Sequence, residues 1–96
     1  MNTEVIAELW DVINDRMEHQ PEGSYVVDIL THGKGIDKSL EKVGEECTEF
    51  ILAVKNDSYP RKVEEAADLV FHFMLALRAA DVNPEDVLEE LASRRR

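Results

Sequence analysis

Apolar residues return every three or four positions along this chain, and only short breaks bearing glycine or proline interrupt the rhythm. Val5, Leu9, Val12 and Ile13, with Trp10 and Met17 beside them, predict a helix over residues 4–18 with Thr3 as its N-cap. Pro21-Glu22-Gly23 breaks the chain, and Ser24 is placed to cap a short helix over residues 25–31 that stops near Gly33. Ile36, Leu40, Val43, Cys47, Phe50 and Val54 step by four and three, which predicts a third helix over residues 36–55 with one seam for packing against another helix. Asn56, Asp57 and Ser58 end it. Pro60 opens a fourth helix over residues 60–80, whose main seam is Val63, Ala67, Val70, Met74 and Leu77 and whose second stripe is Ala66, Leu69, Phe73 and Ala80. A helix apolar on nearly every side is buried on nearly every side, so the fourth is expected at the centre, against its own chain and a partner subunit. Asn83-Pro84-Glu85-Asp86 opens the fifth with an N-cap, a first-turn proline and acids at the positive end of the dipole. Val87, Leu88 and Leu91 are expected to face inward, and Arg94, Arg95 and Arg96 suit the closing helix end. Nothing reads as a strand pair. The expectation is all-α: a bundle of about five helices, one domain over residues 1–96, dimerising through its central helices.

Charge narrows the function. The chain has 96 residues, 11 basic and 21 acidic, for a net charge of −10. Such a surface argues against non-specific nucleic-acid or membrane binding, which want basic patches. A phosphate-bearing partner would need a cation as mediator. One cysteine, Cys47, excludes an intrachain disulfide framework and a multi-cysteine zinc site. The best apolar run, residues 69–77, is too short to span a bilayer and contains His72. The first residues lack a basic targeting segment, and the expected location is the cytoplasm.

The acids carry the informative pattern. Glu46 and Glu49 lie i, i+3 on the third helix, and Glu45 points further round, away from the seam. Glu65 and Asp68 repeat that spacing on the fourth, and His72 continues their line one turn on. Each like-charge pair costs roughly 0.2–0.5 kcal/mol on an exposed helix, and more where burial adds desolvation. Two converging pairs need something positive between them, and a hard divalent cation with oxygen ligands, Mg²⁺ or Mn²⁺ as its substitute, meets that need. A lone histidine and a single cysteine do not suit a soft metal. The ordinary alternative is a solvated acidic face, weakest for Glu65 and Asp68 because their helix offers little solvent-facing surface.

Lys42-Val43-Gly44-Glu45-Glu46-Cys47-Thr48-Glu49, followed by Glu65-Ala66-Ala67-Asp68-Leu69-Val70-Phe71-His72, resembles the EExxE…ExxD signature of the all-α nucleoside-triphosphate pyrophosphohydrolases of the MazG-like superfamily. Within it the chain is most similar to the phosphoribosyl-ATP pyrophosphatases of histidine biosynthesis, through Pro21-Glu22-Gly23-Ser24-Tyr25, Gly35-Ile36-Asp37-Lys38 and Asp86-Val87-Leu88-Glu89-Glu90-Leu91. The resemblance covers residues 9–95. It implies an all-α homodimer that hydrolyses phosphoribosyl-ATP to phosphoribosyl-AMP and pyrophosphate, with Glu46, Glu49, Glu65 and Asp68 on Mg²⁺. Glu45 would assist as an added ligand or from behind the ligands. Phe71 stands where a tyrosine is common and Cys47 where alanine is usual; neither touches the acidic set. Many relatives carry a fused cyclohydrolase domain, so a separate protein is expected for the next step.

In that reaction a metal-bound water would attack, and Glu45 and Glu49 are the candidates to take its proton. Lys38 and Lys42 are candidates for substrate phosphate; salt bridges to Glu41, Glu45 or Glu46 explain them equally. Ser24 and Tyr25 are further substrate-binding candidates, against a helix cap and a packing aromatic. Lys55-Asn56 has C-capping as its simpler role, His72 a satisfied place in the core, and Cys47 a packing role. Two rivals remain: a house-cleaning nucleoside-triphosphate pyrophosphohydrolase with the same fold and metal, and a non-catalytic acidic helical module that binds a protein.

Overall fold

The computed structural model describes residues 1–95; Arg96, the last of the three expected C-terminal arginines, lies outside the described residues. Five helices follow one another among them: α1 (Glu4–His19), α2 (Tyr25–Leu30), α3 (Ile36–Asn56), α4 (Tyr59–Ala79) and α5 (Pro84–Ser93). Local chemistry sets their ends. Ser24 Oγ accepts from the Val27 amide at 3.3 Å, and Asn83 Oδ1 accepts from the Glu85 amide at 2.9 Å. Pro60 sits in the first turn of α4, where its missing N–H costs nothing. Gln20 closes α1 in the left-handed region, its amide bonding the Arg16 carbonyl. Asn56 Nδ2 donates to the Leu52 carbonyl at 3.0 Å, the C-capping role expected for it. One cap moves: the Thr3 side chain makes no cap bond, and Asn2 Oδ1 accepts from the Glu4 amide at 2.8 Å instead.

α3 and α4, each 21 residues, form the most extensive helix pair, joined by the short link at residues 57–58. Each is about 31 Å long at 1.5 Å per residue. The apolar core gathers at one end of this hairpin. Ile13, Val26, Ile29, Met74, Leu75 and Leu77 are buried there, with Trp10, Phe71 and Val87 packed on them. Arg78 Nε donates to Asn14 Oδ1 at 2.9 Å and ties the end of α4 to α1.

Away from that core the hairpin is open, and three of the expected apolar stripes are not covered within the chain. The seam expected on α3 is not what α3 buries: Leu40 is 52 % exposed, while Ser39, Glu46 and Ala53 are buried. At 100° per residue these two lines lie about a quarter turn apart, so the small and polar line faces α4, while on the large apolar line Ile36, Leu40 and Val54 are exposed and Val43, Cys47 and Phe50 are half-buried. α4 is not buried on nearly every side within the chain. Val63, Val70 and Phe73 are exposed, and apart from Glu65 its buried residues lie in its second half. Leu88 and Leu91 of α5 also face outward; of the expected trio only Val87 joins the core. Accessible surface is 6853 Å², against about 5,600 Å² for a folded chain of this mass. The radius of gyration is 14.5 Å, against about 12.5 Å for a chain of this length. No helix among the described residues is long and apolar enough to cross a membrane.

Candidate functional site

Where α3 crosses α4, Glu46, Glu49 and Glu65 each offer a carboxylate oxygen, all within 4.8 Å of one another. Glu46 and Glu65 are buried, each only 6 % exposed; Glu49 is exposed. One oxygen of each buried acid has a neighbour. Glu46 Oε1 lies 3.7 Å from Lys42 Nζ and 4.0 Å from His72 Nδ1, and Glu65 Oε1 accepts from the Arg61 guanidinium. The other two oxygens, Glu46 Oε2 and Glu65 Oε2, are buried with no hydrogen-bond partner. An unpaired buried acceptor costs about 1–3 kcal/mol, more when charged. Two of them beside a third carboxylate make a cluster of oxygen acceptors that the protein's own donors do not fill. That arrangement fits a hard divalent cation: oxygen donors only, converging, with lone pairs unspent.

Around the acids the chain places cations and one aromatic relay. Lys42 Nζ bonds Glu45 Oε2 at 2.9 Å, and this bond chiefly raises the lysine above its ordinary pKa. Arg61, on the first turns of α4, grips both Glu64 and Glu65, and these two acids raise its guanidinium further still, Glu64 foremost. His72 Nδ1 lies 2.7 Å from the Asp68 carbonyl, which only accepts, so Nδ1 carries the proton. Nε2 then accepts from the Tyr25 hydroxyl at 2.7 Å. Burial raises the Tyr25 phenol above its usual pKa, against the nearby Lys42. A hollow of about 290 Å³ opens beside the acids, lined by Glu49, Leu52, Ala53, Asp57, Arg61 and Glu65. A separate cavity of about 320 Å³ between α1 and α5, walled by Trp10, Pro84 and Leu88 among others, shares no residue with it.

The sequence profile of the phosphoribosyl-ATP pyrophosphohydrolases matches residues 6–95. The chain belongs to this family. It is 67 % identical over 95 residues to the phosphoribosyl-ATP pyrophosphatase of Methanosphaerula palustris, covering 99 % of this chain and 96 % of that protein. The Methanoculleus marisnigri phosphoribosyl-ATP pyrophosphatase is 59 % identical over 92 residues, covering 96 % of this chain and 95 % of the relative. The Haloarcula marismortui protein of the same name is 45 % identical over 92 residues, covering 96 % and 94 %.

Of the residues that the family resemblance nominated, three acids gather and the fourth does not. Asp68 is exposed and stands outside the trio, although its helix line led to the expectation that it would be buried with Glu65. Glu45 is exposed and paired with Lys42. Lys42 is taken up by Glu45 and Glu46, and Lys38 lies half-buried one turn earlier. Ser24 caps α2, and Tyr25 packs its ring against Phe71, 6.1 Å between centroids, and bonds His72. His72 is buried with both ring nitrogens engaged, and Cys47 is a half-buried free thiol. Arg61 was missed. Its i, i+3 and i, i+4 spacing from Glu64 and Glu65 is the signal that could have found it.

Proposed function

We propose that this chain hydrolyses phosphoribosyl-ATP to phosphoribosyl-AMP and pyrophosphate, the second step of histidine biosynthesis, using Mg²⁺ held by Glu46, Glu49, Glu65 and Asp68. The observation that carries the reading is the pair of buried, partnerless oxygens on Glu46 and Glu65, in a chain of this family. Bound there, the ion supplies neutralisation of phosphate charge and acidification of a water. The residues do the rest. Glu46 and Glu65 approach from facing helices, and their burial keeps them from turning away. Glu49 and Asp68 are exposed, and Glu49 also lines the hollow beside the acids. Glu49 is the better placed of the two base candidates, since Glu45 is held by Lys42. Water is split across the α–β phosphoanhydride bond: the hydroxyl goes to one phosphorus, the proton to the base, and pyrophosphate leaves. Lys42 offsets the charge of Glu46.

The active unit is a homodimer. The surface excess over a folded chain of this mass is about 1,200 Å², more than the roughly 800 Å² that a standard interface takes from each partner. Much of its apolar part, including Leu40, Ile51, Leu52, Val63, Val70 and Phe73, lies on α3 and α4, beside a hollow too small to enclose a nucleotide alone. A second copy on that face would supply the missing wall.

The test is pyrophosphate release from phosphoribosyl-ATP and from each ordinary nucleoside triphosphate, in Mg²⁺ and in chelator. The expected result is Mg²⁺-dependent release from phosphoribosyl-ATP alone. Release mainly from ordinary triphosphates would move the chain to nucleotide clean-up, and release from nothing would end the catalytic reading.

A further inference from the structure

Arg61 is the charged group nearest the acids that the proposed reaction leaves without a task. It stands half-exposed at the rim of the hollow, while its partner Glu65 is buried. A guanidinium grips a single carboxylate best with two parallel bonds. Here the grip is split: Nη1 goes to Glu64 and Nη2 to Glu65 Oε1. Glu65 Oε2 receives nothing, so the buried carboxylate is only half satisfied by its cation. Letting go of Glu65 would still leave Arg61 paired with the exposed Glu64. Glu65 is thus the one acid of the trio claimed both by an arginine and by the space between the acids.

We propose that Arg61 is a displaceable counter-ion for Glu65: it occupies this carboxylate while no divalent cation is bound, yields it when one binds, and thereby sets the cation concentration at which the site loads. The inference rests on the reading that the trio holds a divalent cation. Two positive groups that compete for one carboxylate weaken each other's hold, and Arg61 also repels an ion placed among the acids. Removing Arg61 therefore tightens cation binding and leaves the metal-free site less well compensated.

Calorimetric titration of Mg²⁺, without nucleotide, into the wild-type chain, Arg61→Gln and Lys62→Gln tests this. Lys62→Gln removes the same charge one residue away. The expected result is a Kd about fivefold tighter or more for Arg61→Gln, from the typical strength of such a pair, with Lys62→Gln close to wild type. The metal-free melting temperature of Arg61→Gln should fall below wild type. Unchanged or weaker Mg²⁺ binding by Arg61→Gln, beside a wild type that binds, would overturn the inference alone. Equal tightening in Lys62→Gln would overturn it too, by showing a diffuse charge effect. No Mg²⁺ binding by wild type would remove the cation reading and this inference together. Should Arg61→Gln fail to fold, Arg61→Met, which keeps an apolar stem and removes the charge, must still bind Mg²⁺ tighter than wild type.

Discussion

Replacing Glu49 with glutamine should stabilise the protein without metal and destabilise it with metal. The donor oxygens of Glu46, Glu49 and Glu65 lie within 4.8 Å of one another. Two unit charges at that spacing repel by about 0.9 kcal/mol at the dielectric of water and about 3.5 kcal/mol at an effective value of 20. Glu49 is exposed, so the aqueous figure applies: about 1 kcal/mol for each of its two neighbours, reduced by salt to about 1 kcal/mol in all. Glu46 and Glu65 each have a cation, Lys42 and Arg61, whose attraction an amide would forfeit. Glu49 has no ion pair among the described residues, so its amide loses only repulsion. A gain of about 1 kcal/mol raises the melting temperature of a domain this size by about 4–8 °C. In Mg²⁺ the order reverses: wild type gains about 2.7 kcal/mol at a hundredfold excess over Kd, and the variant, short of a ligand, gains much less. Thermal melts in chelator and across a Mg²⁺ series, at one protein concentration, measure both effects. Glu49→Gln melting at or below wild type in chelator would refute the charge-cluster argument. An undiminished Mg²⁺ shift would refute the ligand role.

Tyr25→Phe leaves His72 Nε2 without its donor and should cost about 1 kcal/mol, read as a lower urea midpoint at constant slope; an unchanged midpoint would remove the bond from the account. His19 should titrate above 6.5 by NMR, because its ring bonds the Asp15 carbonyl and faces the Asp15 carboxylate. A raised value in the folded state means that its contribution is full below 6.5 and lost as pH climbs through the raised pKa, and Asp15→Asn should undo the shift in part. Phe73→Asp, on the open face of α4, should convert a dimer to a monomer of unchanged helicity in sedimentation and circular dichroism; a monomeric wild type would remove the proposed interface.

Helix ends were legible because their causes are local. The third helix, expected over residues 36–55, runs from Ile36 to Asn56, and Ser24 and Asn83 cap where the spacing put them. The convergence of Glu46 and Glu49 with Glu65 was legible too, since i, i+3 acids on two helices joined by a short turn have few other arrangements. The outward turn of Leu40, Val63 and Phe73 was not. Periodicity reports that a stripe is apolar and is silent on whether the same chain or a second copy covers it. Asp68 shows the same limit. It shares a helix line with Glu65, but the rotation of α4 against α3 decides which of the two is enclosed. The Tyr25–His72 bond joins residues 47 apart and leaves no mark in local spacing.

The most direct test measures pyrophosphate release from phosphoribosyl-ATP by wild type and Glu65→Gln over one Mg²⁺ titration, with melting curves taken on the same samples. The account predicts release by wild type that rises from nothing with Mg²⁺, and a folded Glu65→Gln that releases no pyrophosphate at any Mg²⁺ concentration. Release by wild type in chelator, or wild-type activity in Glu65→Gln, would contradict it.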